Sequence, residues 1–225
     1  MQLAKPHVDV GLVTDCKEAM LDFWQGPVGL PFEELLPTGG GNHQHRHGLN
    51  GSVLKLNHRR DPLPVVGPSG YRELLIAREG LLDRRDLVDP DGNRVALLPE
   101  GTGGITGIGM RVAVRDLAAQ ASFYVDALGL EALGARTFRC GDTLLVIEPD
   151  PDASVDVSIA GRGYRYLTIQ VRDCELEHRR ALEHGAREGA PPRRMGDVAV
   201  FSMVRDPDGN WIEISQRRSL TGSLD

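Results

Sequence analysis

Runs of apolar residues predict strands over residues 8–13, 51–57 and 71–77 in the first half of the chain, and a helix over 16–25. The second half is cleaner. Residues 108–114 alternate as a strand does, and Asp116 is a good helix N-cap. Leu117, Ala121, Tyr124 and Leu128 then share one helical face, and Gly129 stops the helix. Strands follow over 137–139 and 143–147, around a turn at Gly141-Asp142. The pattern then restarts: a strand over 166–171, a helix over 174–184 capped by Asp173 and ended by Gly185, and strands over 198–204 and 211–215. This half therefore reads as β-α-β-β-β, twice.

The first half carries the same plan with a loss. Asp89-Pro90-Asp91-Gly92-Asn93 and Asp206-Pro207-Asp208-Gly209-Asn210 each lead into a short apolar strand. Phe23-Trp24 with Gly29-Leu30 is echoed by Phe123-Tyr124 with Gly129-Leu130, and Gly70-Tyr71-Arg72 by Gly163-Tyr164-Arg165. Three landmarks in one order mark an internal duplication. From Gly70 to Asp89 there are 19 positions, against 43 from Gly163 to Asp206. The deficit is about a helix and a strand, so the second of four modules is expected to be a stripped set of strands. The expected domains are 5–99 and 105–217, joined by the Gly-rich linker 100–104.

Composition narrows the function classes. The chain has 225 residues and a net charge of −6, which argues against a nucleic-acid surface. No apolar run approaches the roughly 18 residues of a membrane span, and residues 1–6 lack the apolar core of a signal peptide. Cys16, Cys140 and Cys174 are widely spaced, with no Cys-x-x-Cys, so thiolate zinc is not expected and free thiols in a reducing cytoplasm are. No Gly-x-Ser-x-Gly elbow or phosphate-cradling loop occurs.

Val114-Arg115-Asp116-Leu117, Phe123-Tyr124 and Leu128-Gly129-Leu130, closed by Asp206-Pro207-Asp208-Gly209-Asn210 and by Ile212-Glu213, resemble the vicinal oxygen chelate superfamily of glyoxalases, bleomycin resistance proteins and extradiol dioxygenases. The resemblance implies an α+β fold of tandem βαβββ modules, the second degenerate, whose sheets curl into cups. It also implies a divalent metal (Fe, Mn, Zn or Ni) in a cup, held by side chains of the first and last strands of a module. Such open coordination positions suit a substrate with two chelating oxygens.

Carried over residue by residue, the pattern places Glu213 at a ligand position, seven residues after Asp206. Ala96 and Gly109, at matching positions elsewhere, cannot bind a metal; Tyr166 and Glu73 occupy two others. In the first module the ligand position falls on Asp9, with His7 two residues earlier on the same strand face. The run His43-Gln44-His45-Arg46-His47 can supply a third ligand. The expected metal set is His7, His45 and Glu213, with Tyr166 and Asp9 as catalytic groups that move a proton. In the middle hairpin, Lys55 is a poor ligand. The function expected first is a metal-dependent lyase, isomerase or dioxygenase acting on a small oxygenated organic molecule, as a monomer or homodimer. The alternative is a metal-free binding protein that sequesters a small hydrophobic or antibiotic-like ligand, which the losses at Ala96, Gly109 and Tyr166 would produce.

Overall fold

A computed structural model describes residues 1–224. The first module runs β1 (Asp9–Thr14), α1 (Lys17–Gln25), β2 (Phe32–Gly39), β3 (Asn42–Leu49) and β4 (Ser52–Arg59). The second is β5 (Tyr71–Arg78), β6 (Arg85–Val88) and β7 (Arg94–Pro99), with no helix. The third is β8 (Ile108–Val114), α2 (Leu117–Ser122), β9 (Glu131–Ala132), β10 (Thr137–Cys140) and β11 (Thr143–Pro149). The fourth is β12 (Gly163–Gln170), α3 (Cys174–Glu183), β13 (Arg187–Met195), β14 (Ala199–Arg205) and β15 (Trp211–Arg217), followed by one turn of helix, α4 (Arg218–Thr221). The class is α+β, with four βαβββ-type modules of which the second is degenerate.

Local chemistry accounts for the elements. Asp116 accepts from the Ala118 and Ala119 amides, and Asp173 from Leu176 N, so both helices start where an Asx cap satisfies free N–H groups. The helix expected to reach Leu128 is α-helical only to Ser122; residues Phe123–Ala127 widen into a π turn before Gly129 (φ +65°) ends it. Strand β13 was not evident in sequence, because Arg187–Met195 is polar and mostly exposed at a sheet edge.

The modules pair across the middle and across the ends of the chain, not within its two halves. The fourth and first form one sheet, in the order β13-β14-β15-β12-β1-β4-β3-β2, and the second and third form the other, β6-β7-β5-β8-β11-β10-β9. At the centre of the first sheet β1 runs antiparallel to β12, with Val10 opposite Leu167. On either side, β4 and β15 run parallel to their own first strands. Gly11 pairs with Lys55 and Thr168 with Glu213. A local twofold through Val10 and Leu167 thus brings Lys55 onto Glu213, Asn57 onto Ser215 and Arg59 onto Arg217. One face of this sheet (Val10, Leu12, Leu54, Leu56) joins the main core with Met20 and Trp24 of α1, while the other face is concave.

The repeated motifs clasp the two sheets together. Asn93, in the first Asp-Pro-Asp-Gly-Asn turn, accepts from Tyr164 N, and Asn210, in the second, accepts from Gly70 N at 2.6 Å. Tyr71 donates its hydroxyl to Trp211 O and Tyr164 to Arg94 O. Each Gly-Tyr-Arg landmark therefore reaches the strand that follows the other sheet's turn. Within the turns, Asp89 accepts from the Asp91 and Asn93 amides and Asp206 from that of Asn210, with Gly92 and Gly209 at positive φ.

Burial pushes the Asp89 and Asp206 carboxyls up to about 6. The folded chain then holds protons there that the unfolded chain, titrating near 4, releases. These two groups therefore add stability as pH falls from about 7 towards 4, and that contribution is lost as pH rises through 6. The expected result is a steeper gain in Tm between pH 7.5 and 5.5 for the native chain than for Asp206→Asn. Parallel profiles in calorimetry would contradict it.

Candidate functional site

The concave face of the first sheet holds a cavity of about 330 Å³, the size of a small-molecule site. Its polar floor comes from alternate positions on adjacent strands: Lys55 and Asn57 on β4, Tyr166 on β12, Glu213, Ser215 and Arg217 on β15. Apolar side chains flank the floor from both edges of the sheet, Leu36 of β2 at one and Met195, Phe201 and Met203 of β13 and β14 at the other.

An ion pair lies at the middle of the floor. Lys55 Nζ sits 3.0 Å from Glu213 Oε1 and 2.7 Å from Thr168 Oγ1, and both charged side chains are largely buried. The ammonium also stands 5.5 Å from the centroid of the Tyr166 ring. Tyr166 lies across Gly11, the one residue type that leaves room: a Cβ there would meet the ring at 2.2 Å. Asn57 Nδ2 donates to the Tyr166 hydroxyl at 3.1 Å and is itself fixed by its further bonds to Leu12 O and Lys55 O. Burial, and then the Glu213 charge, raise the phenol far above its ordinary pKa. Tyr166 is therefore a hydrogen-bond donor and a poor base. Among the described residues its own hydrogen meets no acceptor.

The residues expected from sequence divide. Glu213 and Tyr166 line the cavity. Asp9 lies under the same face but is fully buried and engaged: its carboxylate takes Lys5 Nζ at 2.6 Å, Val53 N at 2.9 Å and Gln170 Nε2 at 3.1 Å. His7 packs on Gly51, with Nδ1 3.6 Å from Asp142 Oδ2. His45 is on the opposite face of β3 from the cavity-lining Gln44, near His58 and Lys17, and burial lowers its pKa. The alternation that groups His43, His45 and His47 sends all three away from the cup; His47 meets Gln25 of α1 at 3.1 Å. The structure thus does not bring His7 and His45 to Glu213.

Among the described residues one group of metal-ligating side chains converges, Asp15, Cys16 and Asp91. Arg162 already occupies it, with Nη2 2.5 Å from Asp15 Oδ1 and Nε 3.4 Å from Asp91 Oδ1. It reads as an ion-pair network between the first module and the second module's turn.

The corresponding face of the second sheet carries an apolar cluster. Leu75, Ala77, Ala96, Leu98 and Leu144 pack there against Ile105 of the linker as a separate apolar cluster. Glu73, at the position matching Tyr166, is ringed by Arg84, Arg94 and Arg111 at 2.8, 3.2 and 2.9 Å. Gly109 faces Ile105 and Leu144.

Residues 107–214 match the sequence model of the Glyoxalase/Bleomycin resistance protein/Dioxygenase superfamily. A single-site variant of glyoxalase I from Zea mays superposes with a TM-score of 0.74 at 13% identity, over 100% of this chain and 96% of that one. A candidate dioxygenase from Bacillus subtilis subsp. subtilis str. 168 gives 0.69 at 13% identity, over 96% and 85%. At these identities the likeness is one of fold. No curated protein matches the sequence. No helix among the described residues is long and apolar enough to cross a membrane.

Proposed function

Because residues 107–214 match the Glyoxalase/Bleomycin resistance protein/Dioxygenase superfamily and the chain carries the fold of glyoxalase I throughout, we propose that this protein binds a small oxygenated organic molecule in the cup of its first sheet, without a divalent metal. The observation that carries this reading is the Lys55–Glu213 pair. Among the described residues Glu213 is the lone carboxylate lining the cavity, and an ammonium already sits on it at 3.0 Å. No histidine or thiol lines the cavity, and the phenol of Tyr166 resists ionisation. A divalent cation needs several anionic or imidazole donors, so this set does not fit one.

The same groups suit an oxygen-bearing ligand. An ammonium has three protons; Thr168 and Glu213 take two of them, which leaves one for a ligand oxygen. The Tyr166 hydroxyl is a second donor, and Leu36, Phe201 and Met203 offer apolar surface in the same cavity. The three free thiols accord with a reducing compartment.

A second reading rests on Glu213. Its other carboxylate oxygen has no partner among the described residues, while Lys55 holds the first. That arrangement suits removal of a proton next to a ligand carbonyl, with the oxyanion held by Lys55 and Tyr166. It predicts Glu213-dependent C–H exchange in D₂O.

The test uses untagged protein. Elemental analysis should find well under one divalent ion per chain, and EDTA should leave the Tm unchanged. Hydroxy ketones, dicarbonyls and hydroxy acids that bind should raise the Tm, and Tyr166→Phe should weaken them about tenfold, the loss of one good hydrogen bond. One equivalent of metal that disappears in Glu213→Ala would overturn the reading.

A further inference from the structure

The charge balance of the cup is unlike that of the chain. The protein carries a net −6, yet among the described residues its cavity is lined by three cations, Lys55, Arg59 and Arg217, and by one carboxylate, Glu213. Lys55 and Glu213 neutralise each other. The side chains of Arg59 and Arg217 make no hydrogen bond and no ion pair among the described residues. They are twofold equivalents, on the last residues of β4 and β15, so one guanidinium stands at each end of the hollow.

Arg217 is the more informative of the two. Its side chain is half-buried, and burial followed by the nearby Arg46 charge lowers its pKa. The carboxylates whose charges act on it are each paired elsewhere, Glu34 with Arg46, Asp9 with Lys5 and Glu213 with Lys55. A guanidinium withdrawn from water without a counterion is unfavourable. An arriving anion removes that penalty and gains charge-assisted, bidentate hydrogen bonds. Beside Arg217 on the neighbouring strand are Ala199 and, one pleat on, Phe201 opposite Ser215, so an apolar surface begins next to the cation.

We propose that the ligand of this cup is an organic anion, its acidic group held by Arg217 and its apolar body lying on Phe201 and Met203. The inference rests on the cup being the binding site and names the class of molecule it takes.

The test is a pair of fluorescent probes titrated into the full chain: 1-anilinonaphthalene-8-sulfonate and its uncharged parent, N-phenyl-1-naphthylamine. The sulfonate should bind one site per chain, about tenfold more tightly than the parent, as one charge-assisted pair provides. Arg217→Gln should weaken the sulfonate about tenfold and leave the parent within about twofold. Equal binding of both probes, or a sulfonate affinity untouched by Arg217→Gln, would overturn the inference while leaving the cup as the site. So would a loss confined to Arg59→Gln. Met203→Trp, which fills the cavity and is checked for a native circular dichroism spectrum, separates the two readings. Undiminished binding of both probes in that variant, or no binding to the native chain, refutes the cup itself and the anion with it.

Discussion

Lys55→Met should lower the unfolding free energy by about 3 kcal/mol at pH 7, as expected when one partner of a buried pair is removed. Methionine keeps the length of the side chain, so little volume is lost. What is lost is the charge facing Glu213, whose side chain is only 14% exposed. Lys55→Met/Glu213→Leu should recover most of the loss, because exchanging a whole buried pair for apolar groups is near neutral. A cost below about 1 kcal/mol for Lys55→Met would mean a solvated, loosely held pair, and the case for a cup that carries its own cation would fail. The converse variant, Lys55→Glu, places two carboxylates at the twofold. Mn²⁺, Ni²⁺ or Zn²⁺ should then raise the Tm of the variant and not of the native chain.

Gly11→Ala is the second large effect expected. The added methyl would lie 2.2 to 2.4 Å from three carbons of the Tyr166 ring, far inside contact. The backbone of β1 is held by β4 and β12 on both sides, so the ring must move. Overpacking of this kind costs about 1–3 kcal/mol. The displaced ring leaves Asn57 and the face of the Lys55 ammonium and enters the cavity. Melts should show the destabilisation, and ligands that raise the Tm of the native chain should no longer do so. Gly11→Ala/Tyr166→Leu should regain stability without regaining the hydroxyl's contribution to binding. Native stability together with native binding in Gly11→Ala would show that Tyr166 is not fixed by this contact.

The duplicated turns made the architecture legible, because Asp-Pro-Asp-Gly-Asn can be recognised without knowing what it touches. Their reach across to Tyr71 and Tyr164 was not legible, since those bonds join residues about 70 and 140 positions apart. Glu213 could be placed by counting from Asp206. Its partner was passed over, because Lys55 was weighed as a metal ligand and not as a cation. The spacing held a clue: Cys16 and Asp173 begin equivalent helices, and nearly the same offset carries Lys55 to Glu213. The histidine run misled for a different reason. A period of two shows that His43, His45 and His47 share a face and that Gln44 and Arg46 share the other. It does not say which face is concave; that depends on the partners β3 acquires in the sheet.

The pairing of β1 with β12 also dictates when the cup can form. Val10 must wait for Leu167, a separation of well over half the chain, so during synthesis the first module emerges with an open flank for its central strand. Contacts this distant in sequence form slowly, and an unpaired strand invites association with other chains in the meantime. Whatever binds in the hollow meets only a polypeptide extended through β15, and a product that stops short of that strand would be unable to hold it.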